Sequence, residues 1–113
     1  MLDLTMQAIQ ASLDGLAARQ RITAQNIANA ETPGYTAQTV SFEDSLASAV
    51  ANDSPTQTSV STGLTNDAVD TNGNNVSVDG ETLTAIDTQL RYQLATESMN
   101  NKFRILHSAI GSH

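Results

Sequence analysis

The sequence contains no cysteine, which excludes a disulfide framework and a cysteine-based metal site. Large apolar residues are scarce as well. Leu, Ile, Val and Phe together make up about a fifth of the chain, close to the level below which a chain stays disordered. A chain of 113 residues with this composition buries little apolar surface. We therefore expect one small domain that is marginally stable alone and more stable beside neighbours.

Long apolar runs are also absent. No segment reaches the ~20 residues of a membrane-spanning helix or the roughly 7–15 residues of a signal-peptide core. In addition, no Lys or Arg precedes Arg19. A membrane-spanning segment is therefore not expected and the general secretory route is not indicated, whereas export by a route that reads a disordered N-terminus stays open.

Basic residues are missing from the middle of the chain. The net charge is −7, and residues 43–81 carry Asp and Glu but no Lys or Arg, whereas the acids and bases of the two ends balance. Neutral ends can pack side by side without repulsion, and an acidic middle favours water. This charge balance argues against nucleic acid as a partner.

A heptad pattern predicts a long N-terminal helix over residues 1–31. Its seam consists of Leu2, Met6, Ile9, Leu13, Leu16, Gln20, Thr23, Ile27 and Ala30. At ~1.5 Å per residue such a helix is roughly 43 Å long, which is too long for a compact domain of this size without a long partner. Gly15 weakens it by about 1 kcal/mol unless a close approach uses the missing side chain.

The predicted helix ends in an abrupt turn. Pro33 disfavours the helical conformation of Thr32, and Pro33-Gly34 suits the two central positions of a type II turn. Asn26 and Asn29 lie in the last turns of the helix although Asn is a poor helix former. Two interpretations stay open for them: capping and fraying of the helix end, or amide hydrogen bonds between subunits or to the turn.

The middle of the chain, residues 32–78, is predicted to be polar and partly extended or disordered, with one short helix. A Thr- and Val-containing stretch up to Ser41 indicates extended structure, and Ser41 with Asp44 forms the capping pattern of a helix that ends near Ala51. Residues 52–75 indicate loop or disorder, with a hairpin across their Asn-Gly pair as one option.

A second long helix is predicted over residues 79–113, with Asp79 as its cap and Val78 and Leu83 as a hydrophobic staple. Its apolar residues occupy two faces: Leu83, Ile86, Leu90 and Leu94 on one, and Tyr92, Ala95, Met99, Phe103, Leu106 and Ile110 on the other. Because one partner needs only one stripe, two stripes indicate neighbours on two sides. The predicted fold class is mainly α, with two long terminal helices forming an antiparallel coiled-coil hairpin.

No catalytic, cofactor-binding or metal site is predicted. Asp70-Thr71-Asn72-Gly73 is a weak match to a calcium loop, because its first and twelfth positions are Ala68 and Asp79, and a polar turn explains it better. His107 and His113 lack ligating partners at helical spacing. The sequence also has no nucleophile set, carboxylate pair or phosphate loop, so neither an enzyme nor a small-molecule substrate is expected.

The string Asn26-Ile27-Ala28-Asn29-Ala30-Glu31-Thr32-Pro33-Gly34-Tyr35 resembles the N-terminal signature of the bacterial flagellar rod, hook and hook-associated proteins. Three further strings follow it: Gly73-Asn74-Asn75-Val76, Leu90-Arg91-Tyr92-Gln93 and Asn101-Lys102-Phe103-Arg104-Ile105-Leu106. In this order and spacing they are similar to the proximal rod proteins of the flagellar basal body, the FlgB type. The resemblance covers about residues 10–46 and 73–110, and Glu31 departs from the Asp or Asn more frequent at that position.

This resemblance implies a structural subunit, exported unfolded through the flagellar type III apparatus without a cleaved signal peptide. It would assemble helically in the periplasm at the proximal end of the rod and transmit torque. Its partners would be itself, other rod proteins, and proteins of the basal-body ring and export gate. The residues themselves leave one alternative: a coiled-coil scaffold or export-chaperone-like module, against which the Pro-Gly-Tyr turn argues.

The residues expected to pack between subunits are apolar positions of the two predicted helices: Met6, Ile9, Leu13, Leu16 and Ile27 on the first, and Leu83, Ile86, Leu90, Leu94, Met99, Phe103, Leu106 and Ile110 on the second. The residues that carry the family motif are Asn26, Ala28, Asn29, Thr32, Pro33, Gly34 and Tyr35.

Overall fold

The computed structural model describes residues 3–111. Its elements in chain order are α1 (Leu4–Ala28), β1 (Gln38–Ser41), α2 (Glu43–Ala51), a short 3₁₀ helix (Pro55–Gln57), β2 (Ser61–Leu64) and α3 (Val78–Gly111). The two long helices pack together. This confirms the predicted mainly α fold with two long terminal helices.

Three polar side-chain pairs connect α1 and α3 near both ends and in the middle: Asp3–Lys102 (3.1 Å), Gln20–Gln89 (3.1 Å) and Asn26–Glu81. Residue numbers rise along one helix as they fall along the other, so the helices are antiparallel. Small side chains of α3 face α1 between these pairs, because Thr88 is fully buried and Ala95 packs against the core.

Both long helices differ by a few residues from their predicted ranges. Helix α1 begins after Asp3, whose carboxylate accepts a 2.7 Å hydrogen bond from the N–H of Met6, and it ends at Ala28. Helix α3 begins at Val78, and its cap is Ser77 instead of the predicted Asp79. The Ser77 hydroxyl accepts a 3.1 Å bond from the Gly80 N–H and so satisfies a free donor of the first turn.

The middle of the chain has the extended structure that was one of the two predicted alternatives. Strands β1 and β2 pair antiparallel, with Gln38 opposite Leu64 and Ser41 opposite Ser61. Helix α2 ends at Ala51 as predicted, but Ser41 does not cap it. Because Ser41 is the last residue of β1 and Phe42 precedes the helix, the Ser41 side chain lies one residue too early.

The predicted hairpin across Asn72-Gly73 is wrong. No strand is assigned in the described chain between β2 and α3. The carbonyl oxygen of Asn72 instead accepts a 2.9 Å bond from the N–H of Gly34, so the backbone of this loop pairs with the turn after α1. The bond to Gly34 thus replaces the cross-strand hydrogen bonds of the hairpin that the Asn72-Gly73 pair suggested.

A small apolar core lies around the middle of α1. Its buried members are Leu16, Ala18 and Ile22 of α1 together with Val40 and Phe42, and the partly buried Leu46 and Ala95 pack against them. Phe42 lies directly over Gly15, since a Cβ built on this glycine would be only 2.4 Å from the ring. The missing side chain of Gly15 is therefore used for a close approach, by a ring and not by a second helix.

An ion pair covers one side of this core. The two terminal nitrogens of Arg19 donate to the two carboxylate oxygens of Glu43 at 2.6 and 2.8 Å, and one of them also donates to the Val40 carbonyl at 2.8 Å. The guanidinium lies 5.0 Å from the ring centre of Phe42. Hydrogen bonding to Arg19 lowers the pKa of Glu43 from its ordinary 4.5 to about 2.

We predict that Gly15→Ala destabilises the protein. At an exposed helical position this change stabilises by about 1 kcal/mol, but here the new methyl group collides with Phe42, and overpacking costs about 1–3 kcal/mol. Urea unfolding followed by circular dichroism measures the difference. Gly63→Ala is the control, because nothing lies within 4 Å of its added Cβ. A Gly15→Ala variant as stable as the parent would contradict the packing described.

We predict that Glu43→Gln removes part of the acid sensitivity of folding. Because the pKa of Glu43 is lowered to about 2 in the folded protein, the pair stabilises fully above about pH 5, and this contribution is lost as the pH falls towards 2. Its side chain is half exposed, so about 1 kcal/mol is expected. Free energies of unfolding between pH 7 and 2 measure it, with the exposed Glu97→Gln as the control. Identical pH profiles for Glu43→Gln and the parent would refute the role of the pair.

Candidate functional site

The side chain of Asn26 joins three elements at one end of the molecule. It is fully buried, although it lies near the end of α1. Its amide nitrogen donates to the Gln38 carbonyl at 2.8 Å and to the Glu81 carboxylate. Its amide oxygen accepts from the N–H of Gln38 and the hydroxyl of Tyr35, both at 3.0 Å. All four bonds available to an amide are thus made within the subunit. The bond from Tyr35 joins Asn26 to the turn, as one of the interpretations from the sequence allowed, whereas the bonds to Gln38 and Glu81 were not anticipated.

Asn29 caps the end of α1 and binds the following turn. Its amide nitrogen donates to the carbonyl of Gln25 at 2.9 Å, and its amide oxygen accepts from the Thr32 hydroxyl at 3.0 Å. The turn has the predicted type II features, because the N–H of Tyr35 donates to the carbonyl of Thr32 at 3.2 Å and Gly34 has φ 74°. Both interpretations of Asn29 therefore apply together within one subunit.

Two buried asparagines just before α3 hold this turn from the other side. The Asn74 amide donates to the carbonyl oxygens of Asn29 and Thr32, both at 2.8 Å. The Asn75 amide oxygen accepts from the N–H of Ala37 at 2.6 Å. The segments Asn26–Tyr35 and Gly73–Val76 are far apart in the sequence, but hydrogen bonds join them into one structure. We name it the asparagine junction: Asn26, Asn29, Asn74 and Asn75 with the turn Thr32–Tyr35.

Glycine permits the close backbone approach inside the junction. Gly73 has φ 81°, and a Cβ built on it would lie 3.4 Å from the Cα of Gly34. The outer side of the turn is uncovered, since Pro33 is exposed and nothing lies within 4 Å of a Cβ built on Gly34. The junction thus holds the start of α3 against the end of α1 and presents one side of its turn to solvent.

The packing residues predicted on α1 point mostly into the subunit. Met6 and Leu16 are buried, Ile9 and Leu13 are partly buried, and Ile27 is exposed. Leu2 lies outside the described residues. The predicted seam of α1 is therefore largely covered by α3 and by the middle of the chain.

On α3 the distribution is reversed. Only Met99 of the predicted packing residues is buried. The others are 45–69% exposed: Leu83, Ile86, Leu90, Leu94, Phe103, Leu106 and Ile110. We name Leu83, Ile86, Leu90 and Leu94 the outer face of α3, because all four side chains are exposed. We name residues 103–111 the overhang, since they extend beyond the pair of Lys102 with Asp3 at the start of α1.

Several residues that matter for this arrangement were missed from the sequence. Arg19, Glu43 and Glu81 were counted there only as charges, and Gln38 was not singled out. Their partners lie on other elements, so no local pattern contains the signal. Only a buried polar residue such as Asn26 could have indicated that distant partners must exist, because an unpaired buried amide is costly.

The described chain offers no arrangement for metal chemistry. Within residues 3–111, no group of three or more His, Cys, Asp or Glu could hold a metal ion. The Asp70–Gly73 segment is a turn in which the N–H of Gly73 donates to the Asp70 carbonyl at 2.9 Å. His107 is exposed on α3, and His113 lies outside the described residues. Among the helices of the described range, none combines the length and apolar character needed to cross a membrane.

Comparison with known proteins gives consistent matches. Residues 6–36 match the family model described as flagella basal body rod protein. The chain is 34% identical to the flagellar basal body rod protein FlgB of Bacillus subtilis, over 94% of this chain and 92% of the relative. It is 25% identical to that of Escherichia coli over 98% and 96%, and 26% identical to that of Borreliella burgdorferi over 84% and 87%.

We predict that Asn26→Ala destabilises the subunit by about 3 kcal/mol or more. The change leaves the partly buried Glu81, Gln38 and Tyr35 groups without their partner, at about 1–3 kcal/mol for each polar atom that water does not reach. Urea unfolding measures this loss. Asn100→Ala, at an exposed position of α3, is the control and should change stability by less than about 0.5 kcal/mol. Equal effects of the two variants would show that the junction does not stabilise the fold.

Proposed function

This chain belongs to the flagellar basal body rod protein family and is a structural subunit of the rod, and we propose that it assembles at the proximal end of the rod through the outer face of α3. The resemblance read from the sequence is thereby confirmed. The chain is located in the flagellar basal body and assembles with other rod components. The coiled-coil scaffold or chaperone alternative is not favoured by these relatives.

The exposure of the outer face of α3 is the observation that carries this proposal. Leu83 is 69% exposed, Ile86 61%, Leu90 55% and Leu94 61%. Transfer of one such side chain from water to an apolar contact is favourable by about 1.5–3 kcal/mol. A contiguous apolar row of this length on a soluble helix is typical of an interaction surface. Neighbouring subunits that cover this row would stabilise both the contact and the fold.

The asparagine junction suits a subunit that transmits torque. A rod turns as one body only if force applied to one helix of a subunit reaches the other without a change in their relative position. Asn26 and Asn74 bind both helix ends through buried hydrogen bonds, and the Arg19–Glu43 pair attaches the middle of the chain to α1. These contacts support the proposed stiffness, because small changes in geometry would leave buried polar groups unpaired.

The finer location follows from the same proposal. We propose that the chain is exported through the flagellar type III apparatus without a cleaved signal peptide and assembles in the periplasm. Its proposed partners are further copies, other rod proteins, and ring and export-gate proteins. The small core supports export in an unfolded state, because few buried apolar side chains must be exposed to unfold it. We propose no catalytic role, cofactor or small-molecule substrate.

The test compares two exposed leucines. Leu83 on the outer face of α3 and Leu64 on β2 are 69% and 67% exposed, so neither is needed inside the subunit. We predict that Leu83→Asp prevents incorporation into basal bodies and abolishes swimming, because a charge cannot be buried in an apolar contact without a partner. Leu64→Asp should leave both unchanged.

Each variant is expressed as the only copy in a flagellated cell, and isolated basal bodies are probed for the chain. Circular dichroism of the purified variants checks that both keep the parental helix content. Swimming cells with Leu83→Asp would overturn the packing proposal, as would an equal loss with Leu64→Asp.

A further inference from the structure

The overhang of α3 continues a seam that α1 covers only in part. Met99 is buried against α1, and Phe103, Leu106 and Ile110 follow it at steps of four, three and four residues, so they share its side of the helix. Beyond the start of α1 these three side chains are 48%, 45% and 64% exposed. The overhang therefore presents a row of apolar side chains that this subunit leaves uncovered.

A groove long enough to hold this row lies towards the other end of α3. It runs between α1 and α3, has a volume of about 490 Å³, and includes the apolar Ile27, Ile86 and Leu90. Along α3 it runs from Thr82 to Gln93, eleven residues apart, or ~17 Å at helical rise. The apolar row of the overhang, from Phe103 to Ile110, spans seven residues, or ~10 Å, and fits within this length. An amphipathic helix with anchors at this spacing is the usual occupant of such a groove.

The charges of the two surfaces are complementary. The exposed Arg104 of the overhang donates a hydrogen bond to Asn101, and the carboxylate of the exposed Glu97 lies 3.9 Å from its guanidinium. The α3 segment that leads into the groove carries the exposed Asp79, and along the groove itself Asp87 and Arg91 pair with each other at 2.8 Å, so Asp79 is the acid free to meet a basic side chain. Two overhangs side by side would bring like charges together, whereas an overhang in a groove brings opposite charges together. This favours a contact between unlike ends.

We propose that the overhang of one subunit docks in the groove between α1 and α3 of a second copy of this chain. The inference rests on the proposed rod function and specifies its contact. The two surfaces are different and lie towards opposite ends of a molecule 67 Å long. The contact is therefore heterologous, and each added copy leaves one groove and one overhang free. Such a contact produces an open-ended stack, which a rod requires.

Cysteine cross-linking tests this contact directly, because the chain has no cysteine of its own. The variant Ile86→Cys with Leu106→Cys is expressed as the only copy, and isolated basal bodies are oxidised and run on a non-reducing gel. Disulfide-linked dimers and larger multimers of the chain are expected. Each single variant should give none, and co-expression of the two single variants should give dimers only.

A matched control uses Val69→Cys with Leu106→Cys, since Val69 is 60% exposed but lies outside the groove, and it should give no multimers. Adding Arg104→Glu to the Ile86 and Leu106 pair should lower the multimer yield severalfold, and adding Asp79→Arg as well should restore it.

Three results would overturn the proposal: dimers from a single variant, cross-links of Leu106→Cys only to a different protein, or no cross-link although the chain is present in basal bodies. None of these contradicts the rod function, which would be contradicted only if the parent chain were absent from basal bodies.

Discussion

The fold depends above all on the buried amide of Asn26. A buried amide is tolerated only when its hydrogen bonds are made, and the partners of this one come from β1, from the turn after α1 and from α3. Satisfying one side chain therefore requires that three elements are in place together. The antiparallel alignment of the two long helices at this end follows from that requirement, since Glu81 must lie beside the end of α1.

The subunit is held together largely by polar hydrogen bonds, and many of its large apolar side chains are exposed. The core consists of a few residues around Phe42 and Gly15, and the contact of α1 with α3 includes the small side chains of Thr88 and Ala95. Most large apolar residues of α3 are exposed instead. A globular domain would bury such residues to become stable alone, whereas a rod subunit gains from burying them against neighbours. The chain thus makes its polar bonds within the subunit and leaves much of its apolar surface exposed, which the proposed packing would bury between subunits.

The two strings that resemble the rod family, Asn26–Tyr35 and Gly73–Val76, have a physical explanation in this arrangement. From the sequence, Asn26–Tyr35 and Gly73–Val76 could be matched to a family but not to each other. In the structure Asn74 donates to the carbonyl groups of Asn29, which caps α1, and of Thr32 in the turn, and Gly73 lies against Gly34. Most of the motif therefore makes bonds within the subunit, while Pro33 and Gly34 are exposed.

The sequence alone determined the features that depend on neighbours along the chain: two long helices, the type II turn at Pro33-Gly34 and the end of α2 at Ala51. A helical stripe and a positive φ at Gly34 are local properties, so their signals are local. Tertiary structure decided which stripe is covered, which loop pairs with the turn, and that Gly15 lies beneath Phe42. The periodicity of α3 indicates two apolar faces. Which of them contacts α1 and which stays exposed depends on how residues far away in the sequence position the helix. For the same reason the partners of Asn26 could not be predicted. An Asn in the sequence indicates that its amide needs hydrogen-bond partners, but it does not indicate which residues supply them.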